Sequence, residues 1–165
     1  MKKRIYTTEM ESPLGAVLLA ATEGGLCGVY FHDQRYLPET RATWQRDDSK
    51  FARIREQLKA YFAGTSTTLD VALDVVVGTP FQREVWRALR QIQPGQTWTY
   101  AQVAAHVGRP QAVRAVGAAV GRNPLSVIVP CHRVIGSGGA LTGYAGGLER
   151  KRWLLAHEAG MVNFK

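Results

Sequence analysis

Residues 99–122 read Thr-Tyr-Ala-Gln-Val-Ala-Ala-His-Val-Gly-Arg-Pro-Gln-Ala-Val-Arg-Ala-Val-Gly-Ala-Ala-Val-Gly-Arg. Thr99-Tyr100-Ala101-Gln102 is a capping box: the threonine hydroxyl can accept the amide three residues on, and the glutamine can reach back. It predicts a short helix to Val107 with Gly108 as its stop. Pro110 then starts a second helix running to about Arg122. Two helices joined by Gly108-Arg109-Pro110 form a helix-turn-helix. Between Gln111 and Gly121 the second helix is small-sided, with Arg114 its one charge. Small side chains let a backbone approach a bulky partner closely, either another helix or nucleic acid.

Upstream, Thr79-Pro80 reads as a cap with proline at the first helical position, and Phe81, Val85, Trp86, Leu89 and Ile92 supply a buried stripe. Pro94-Gly95 breaks it. Before residue 79 the pattern changes. Ile5–Met10, Ala16–Ala21 and Leu26–Phe31 are short apolar runs separated by Ser-Pro-Leu-Gly and Glu-Gly-Gly, which predicts a small antiparallel sheet. Residues 33–48 read as a polar loop. Phe51, Ile54, Leu58, Tyr61 and Phe62 fall at helical spacing between Ser49 and Ala63, with Gly64 as a stop, and Leu69–Val77 reads as a further strand. The expected architecture is α+β, with a sheet-and-helix domain over 1–78 and a helical domain over 79–165.

The 165 residues are 45% hydrophobic and 21% charged, a composition that folds around a core. No run approaches the ~18 apolar residues of a membrane span, and Met1-Lys-Lys-Arg leads into no apolar signal core, so a soluble, cytoplasmic protein is expected. Residues 1–80 balance ten Lys/Arg against ten Asp/Glu, whereas 81–165 hold eleven against three. The whole net charge of +8 therefore sits in the second half. That asymmetry fits an anionic partner, nucleic acid first, or simply a solvated basic surface.

Beyond the second helix, Asn123-Pro124 leads into the apolar run Leu125–Val129 and then Pro130-Cys131-His132-Arg133-Val134. A thiol beside an imidazole and a guanidinium has a setting that favours thiolate, the nucleophilic form. The alternative is a small buried structural cysteine, the reading adopted for Cys27. Residues 136–147 are a glycine-rich loop suited to shaping a pocket wall, without the lysine and hydroxyl ending of a phosphate loop. A last helix, Leu148 to His157, is followed by Glu158. Its spacing from Leu154 and Leu155 places it on their apolar face, where a buried carboxylate needs a partner such as an imidazole, or else at a solvent-facing terminus. Inward, it would complete a Cys–His–Glu relay. Cys131 and His132 are chain neighbours, so an extended backbone would splay their side chains and require a water between them.

These residues resemble the O6-alkylguanine-DNA alkyltransferases. Thr79-Pro80-Phe81-Gln82, the Tyr100 helix, Arg114-Ala115-Val116-Gly117, Asn123-Pro124, Pro130-Cys131-His132-Arg133-Val134, Gly143-Tyr144-Ala145-Gly146-Gly147 and Leu154-Leu155-Ala156-His157-Glu158 follow that family's order and spacing. Ser12-Pro13-Leu14-Gly15 and Tyr61-Phe62-Ala63-Gly64 are similar to its bacterial members. The resemblance implies a ribonuclease-H-like first domain and a winged helix-turn-helix second domain. It also implies a single-turnover repair enzyme that moves an alkyl group from guanine O6, and less well from thymine O4, onto its own cysteine.

Carried over residue by residue, Cys131 is the acceptor, His132 its base through a water, Glu158 the holder of the imidazole, and Asn123 the tie to the helix-turn-helix. Arg114 replaces the flipped base in a minor-groove complex, and Tyr100 promotes flipping and bonds the base. Backbone groups at Cys131 and Val134 read the guanine edge, and Tyr144 and Ala145 cover it. Three departures from common patterns stand out. Val120 replaces an Asn frequent in bacterial members, which should alter the helix face offered to DNA. Ala145 and Ser126 stand where human-type members carry Ser and Pro. The implied partner is duplex DNA containing O6-alkylguanine, with no membrane and no obligate protein partner. A monomer is expected, with cooperative binding along DNA left open. No cofactor is expected and no metal, since Cys27 and His32 are too few for the zinc site of some members. A non-catalytic lesion-binding protein and a multi-turnover cysteine hydrolase are the competing classes. A stable adduct on Cys131 separates the first reading from both.

Overall fold

The computed structural model describes residues 3–163, so Met1 and Lys2 of the basic start, and Phe164 and Lys165, lie outside the described residues. The chain divides into two compact units between Val76 and Val77. No helix among the described residues is long and apolar enough to cross a membrane.

In the first unit, strands β1 (Tyr6–Met10), β2 (Val17–Thr22) and β3 (Gly25–Phe31) pair antiparallel in sequence order. Alternation along them turns Tyr6, Thr8, Met10, Val17 and Leu19 inward. Two expectations change here. The stretch 33–48 is more than a loop: it holds a 3-10 turn, Glu39–Thr43, and a two-residue strand, β4 (Gln45–Arg46), parallel to β1. The sheet is therefore mixed, in the order β3-β2-β1-β4. The Leu69–Val77 strand shrinks to a single bridge from Leu73 to Leu26 at the β3 edge. Side-chain bonds hold its flanks instead, with Arg53 and Gln57 donating to Asp70, and Lys3 donating to Asp74.

Helix α1 (Ala52–Ala63) follows a 3-10 turn and buries Ile54, Leu58, Tyr61 and Phe62. Gly64 closes it in the left-handed region at φ 79°, a conformation that favours glycine.

The second unit is helical. Thr79 and Gln82 form the capping box that opens α2 (Pro80–Leu89), and Thr99 and Gln102 form the one that opens α3 (Tyr100–His106). Between α2 and α3 lies the two-residue strand β5 (Trp98–Thr99), paired with β6 (Val134–Ile135). Helix α4 (Val113–Gly121) starts later than Pro110 suggested, because residues 109–112 close a turn through the Ala112 amide and the Arg109 carbonyl. Trp86 anchors α2 to α4 by donating its indole N–H to the Ala119 carbonyl at 2.7 Å. Helix α5 runs from Leu148 to Asn163, well past His157, so Glu158 lies inside a helix rather than beyond its end.

Candidate active site

The chain from α4 to β6 is folded by its own polar groups. Asn123 donates its amide to the Val129 carbonyl at 2.8 Å and accepts the Leu125 amide at 2.9 Å. These bonds tie the end of the helix-turn-helix to the segment that presents Cys131. Between them the Ile128 amide donates to the Ser126 carbonyl at 2.8 Å, a three-residue turn centred on Val127 at φ 72°. A β-branched residue there costs on the order of 1–3 kcal/mol, and the Asn123 bonds hold it in place. Cys131–Arg133 then forms one 3-10 turn rather than an extended strand.

That turn sends three neighbouring side chains to different tasks. His132 is fully buried, and its Nε2 lies 2.8 Å from Glu158 Oε2. Opposite an ionised carboxylate, Nε2 carries the proton and donates it, which leaves the lone pair on Nδ1. Nδ1 is buried and has no hydrogen-bond partner among the described residues. Arg133 grips the same carboxylate with two bonds of 2.7 Å, Nε to Oε1 and Nη2 to Oε2, and donates Nη1 to the Ile92 carbonyl at 2.6 Å. Burial alone would raise the Glu158 pKa. The bonds from Arg133 and His132 outweigh it and hold the carboxyl well below the usual range. Burial lowers the His132 pKa despite the carboxylate beside it, so the imidazole is neutral near pH 7.

The thiol differs from the sequence expectation. Cys131 is 4% exposed, and burial pushes its pKa up to about 11, against smaller lowering effects from Asn123 and Lys151. The neighbouring guanidinium does not favour thiolate because Glu158 engages it. Cys27 is likewise buried, with its pKa also up at about 11. Iodoacetamide at pH 7.5 should therefore modify both thiols on the order of 100-fold more slowly in the folded chain than in denaturant, a rate ratio readable by mass spectrometry.

Sequence reasoning missed Lys151. It is 0% exposed and donates Nζ to the Thr142 carbonyl at 2.8 Å. Desolvation pulls its pKa down to about 8, partly opposed by Cys131. The Tyr100 hydroxyl reaches the same Thr142 carbonyl at 3.1 Å, so two donors fasten the glycine-rich loop. The Tyr100 ring faces Gly117 of α4, where an added Cβ would meet it at 3.9 Å.

The structure thus brings Cys131, His132, Glu158 and Asn123 together, with Tyr144 buried and Ser126 at its hydroxyl. Val134 is buried in β6, and Ala145 is half-buried in the loop. Arg114 lies apart, exposed on α4 beside Ala115 and Ala118. Val120 does not alter that face: it is 4% exposed and points inward with Val116 and Ala119. Among the described residues no three His, Cys, Asp or Glu side chains cluster as metal ligands. A groove of about 290 Å³ lies in the first unit, lined by Glu23, Lys50 and Arg53 among others, and holds none of these residues.

Residues 80–160 match the DNA-binding domain of 6-O-methylguanine DNA methyltransferase, and residues 5–75 match its ribonuclease-like domain. The methylated-DNA–protein-cysteine methyltransferase of Mycolicibacterium paratuberculosis is 49% identical over 149 residues, covering 90% of this chain and 89% of the relative. The chain belongs to the methylated-DNA–protein-cysteine methyltransferase family. A second methyltransferase, from Methanosarcina acetivorans, is 47% identical over 154 residues, 93% of this chain and 98% of its own. The crystal structure of Mycobacterium tuberculosis OGT in complex with DNA superposes with a TM-score of 0.86 at 45% identity, covering 96% of this chain and 94% of that one. As a methylated-DNA–protein-cysteine methyltransferase, the protein repairs DNA by moving the methyl group of O6-methylguanine to a cysteine of its own chain.

Proposed function

We propose that Cys131 is that cysteine and that His132, Glu158 and Asn123 make it reactive. The observation that carries this reading is the buried Nδ1 of His132, a lone pair held on the residue next to the thiol by a carboxylate that Arg133 keeps ionised. A thiol with a pKa near 11 must lose its proton during the reaction. A neutral imidazole is the base available, through one water where the side chains diverge. Sulfur then attacks the methyl carbon, and the O6–carbon bond breaks with its electron pair on guanine. The thiol proton ends on the guanine, and a thioether remains on the protein. A thioether offers no route to hydrolysis, so each molecule turns over once.

The remaining roles follow the same reading. A base must leave the duplex to reach a buried thiol. Helix α4 offers a small exposed face with Arg114 to fill the gap, an arrangement suited to minor-groove entry. Backbone groups at Cys131 and Val134 read the extruded guanine, and Tyr144 and Ala145 wall it. Tyr100 exchanges the Thr142 carbonyl for the base and offsets charge that develops on the leaving guanine. Larger alkyl groups and O4-alkylthymine are further substrates to test. The protein works as a monomer on duplex DNA, in the cytoplasm, where its two free thiols stay reduced.

Arg114→Ala provides the test. Single-turnover transfer should fall about tenfold on a duplex carrying O6-methylguanine, since base extrusion costs a few kcal/mol. On the same lesion in a single strand the loss should be much smaller, because nothing needs replacing. Equal losses on both substrates would contradict the assignment.

A further inference from the structure

Helix α2 carries Arg83, Arg87 and Arg90, the last at its C-cap, at spacings of four and three residues. Such spacing puts all three on one stripe. Val85, Trp86, Ala88 and Leu89 are buried on the other side, and all three arginines are exposed. Among the described residues none of the three enters an ion pair. Arg83 donates Nε to the Val77 carbonyl at 3.2 Å. Glu84, the one acid of the helix, sits three residues before Arg87 without pairing to it.

This stripe does little for the fold. Cations near the C-terminus of a helix are favourable, which covers Arg87 and Arg90. Arg83 stands near the N-terminal end, where the dipole opposes it, and the three like charges repel one another. Their chemistry fits an anion outside the chain. Arg83 to Arg90 spans about 10 Å of helix. One strand of a duplex places a phosphate about every 3.4 Å along its axis, so the stripe matches about three phosphates. It also belongs to the module that carries Arg114, because Trp86 fastens α2 to α4.

We propose that Arg83, Arg87 and Arg90 bind the sugar-phosphate backbone of DNA flanking the lesion, a second contact outside the helix-turn-helix. The proposal rests on the reading of the second unit as the one that holds DNA. It adds affinity and positioning and leaves the chemistry at Cys131 untouched.

The test is the salt dependence of binding to an undamaged duplex of about 30 base pairs by the full chain and by Arg87→Gln/Arg90→Gln. Each lost phosphate contact flattens the log–log slope by about 0.9, so the double variant should be shallower by about 1.8. Arg55→Gln/Lys59→Gln, in the first unit, removes the same charge and should keep the parent's slope. A duplex of about 8 base pairs, too short for flanking contacts, should bind the α2 variant and the parent alike. An unchanged slope in the α2 variant overturns the proposal, as does equal flattening in the control, which would mark a net-charge effect. A parent that transfers no methyl and binds no duplex overturns the underlying reading instead.

Discussion

Glu158→Ala should lose roughly 3–5 kcal/mol of stability and nearly all methyl transfer. The carboxylate is fully buried and accepts three charge-assisted or imidazole hydrogen bonds, two from Arg133 and one from His132. Removing it leaves a buried guanidinium whose remaining bond goes to the Ile92 carbonyl, and uncompensated buried charges carry penalties of that size. It also frees the imidazole to rotate, so Nδ1 no longer holds its lone pair beside Cys131. Urea unfolding should show the stability loss, and single-turnover transfer at a temperature where the variant stays folded should show the other. The pH profile carries the same sign. The Glu158 pKa is lower in the folded chain than in the unfolded one, so its contribution is complete above pH 4.5 and disappears only on stronger acidification. Burial of neutral His132 adds a decline in stability below about pH 6.5. Glu158→Ala should lose the carboxylate part of this acid sensitivity and keep the histidine part.

Lys151→Met should move stability and activity in opposite directions. The ammonium is fully buried, and its pKa of about 8 in the folded chain lies below the ordinary 10.5. Holding it charged at pH 7 therefore costs the fold roughly 3 kcal/mol, part of which an apolar side chain of similar length recovers. Between pH 8 and 10.5 the unfolded chain binds the extra proton, so the parent gains stability across that window and the variant does not. Transfer should slow about ten- to hundredfold. The charge lowers the Cys131 pKa against burial, and removing it raises the cost of forming thiolate. The Thr142 carbonyl would keep Tyr100 as its donor. A variant that is both less stable and fully active would contradict this account of Lys151.

Much of this was legible because local rules and global fold agree. The cap at Thr79, the capping box at Thr99 and the stop at Gly64 are satisfied by neighbours in sequence, so their residues announce the helix ends. The site was legible in its members but not in its electrostatics. Adjacent His132 and Arg133 suggested an activated thiolate, yet Arg133 turns to Glu158, 25 residues away, and no local pattern shows that pairing. Spacing left Glu158 poised between two environments. Lys151 lies on the same stripe as Leu154 and Glu158, at intervals of three and four residues, and that alignment was the available signal for a buried lysine. The turn at Val127 had none, since a β-branched run reads as extended backbone. Inward-facing Val120 shows the same limit: a small-sided helix does not declare which of its faces is buried.

The most direct test is the mass of the intact protein and its peptides after mixing with an equimolar duplex holding one O6-methylguanine, alongside Cys131→Ser. One methyl group per chain is expected, all of it on the Cys131 peptide, and none on the variant. A methyl group on Cys27, or lesion binding with no adduct at all, would contradict it.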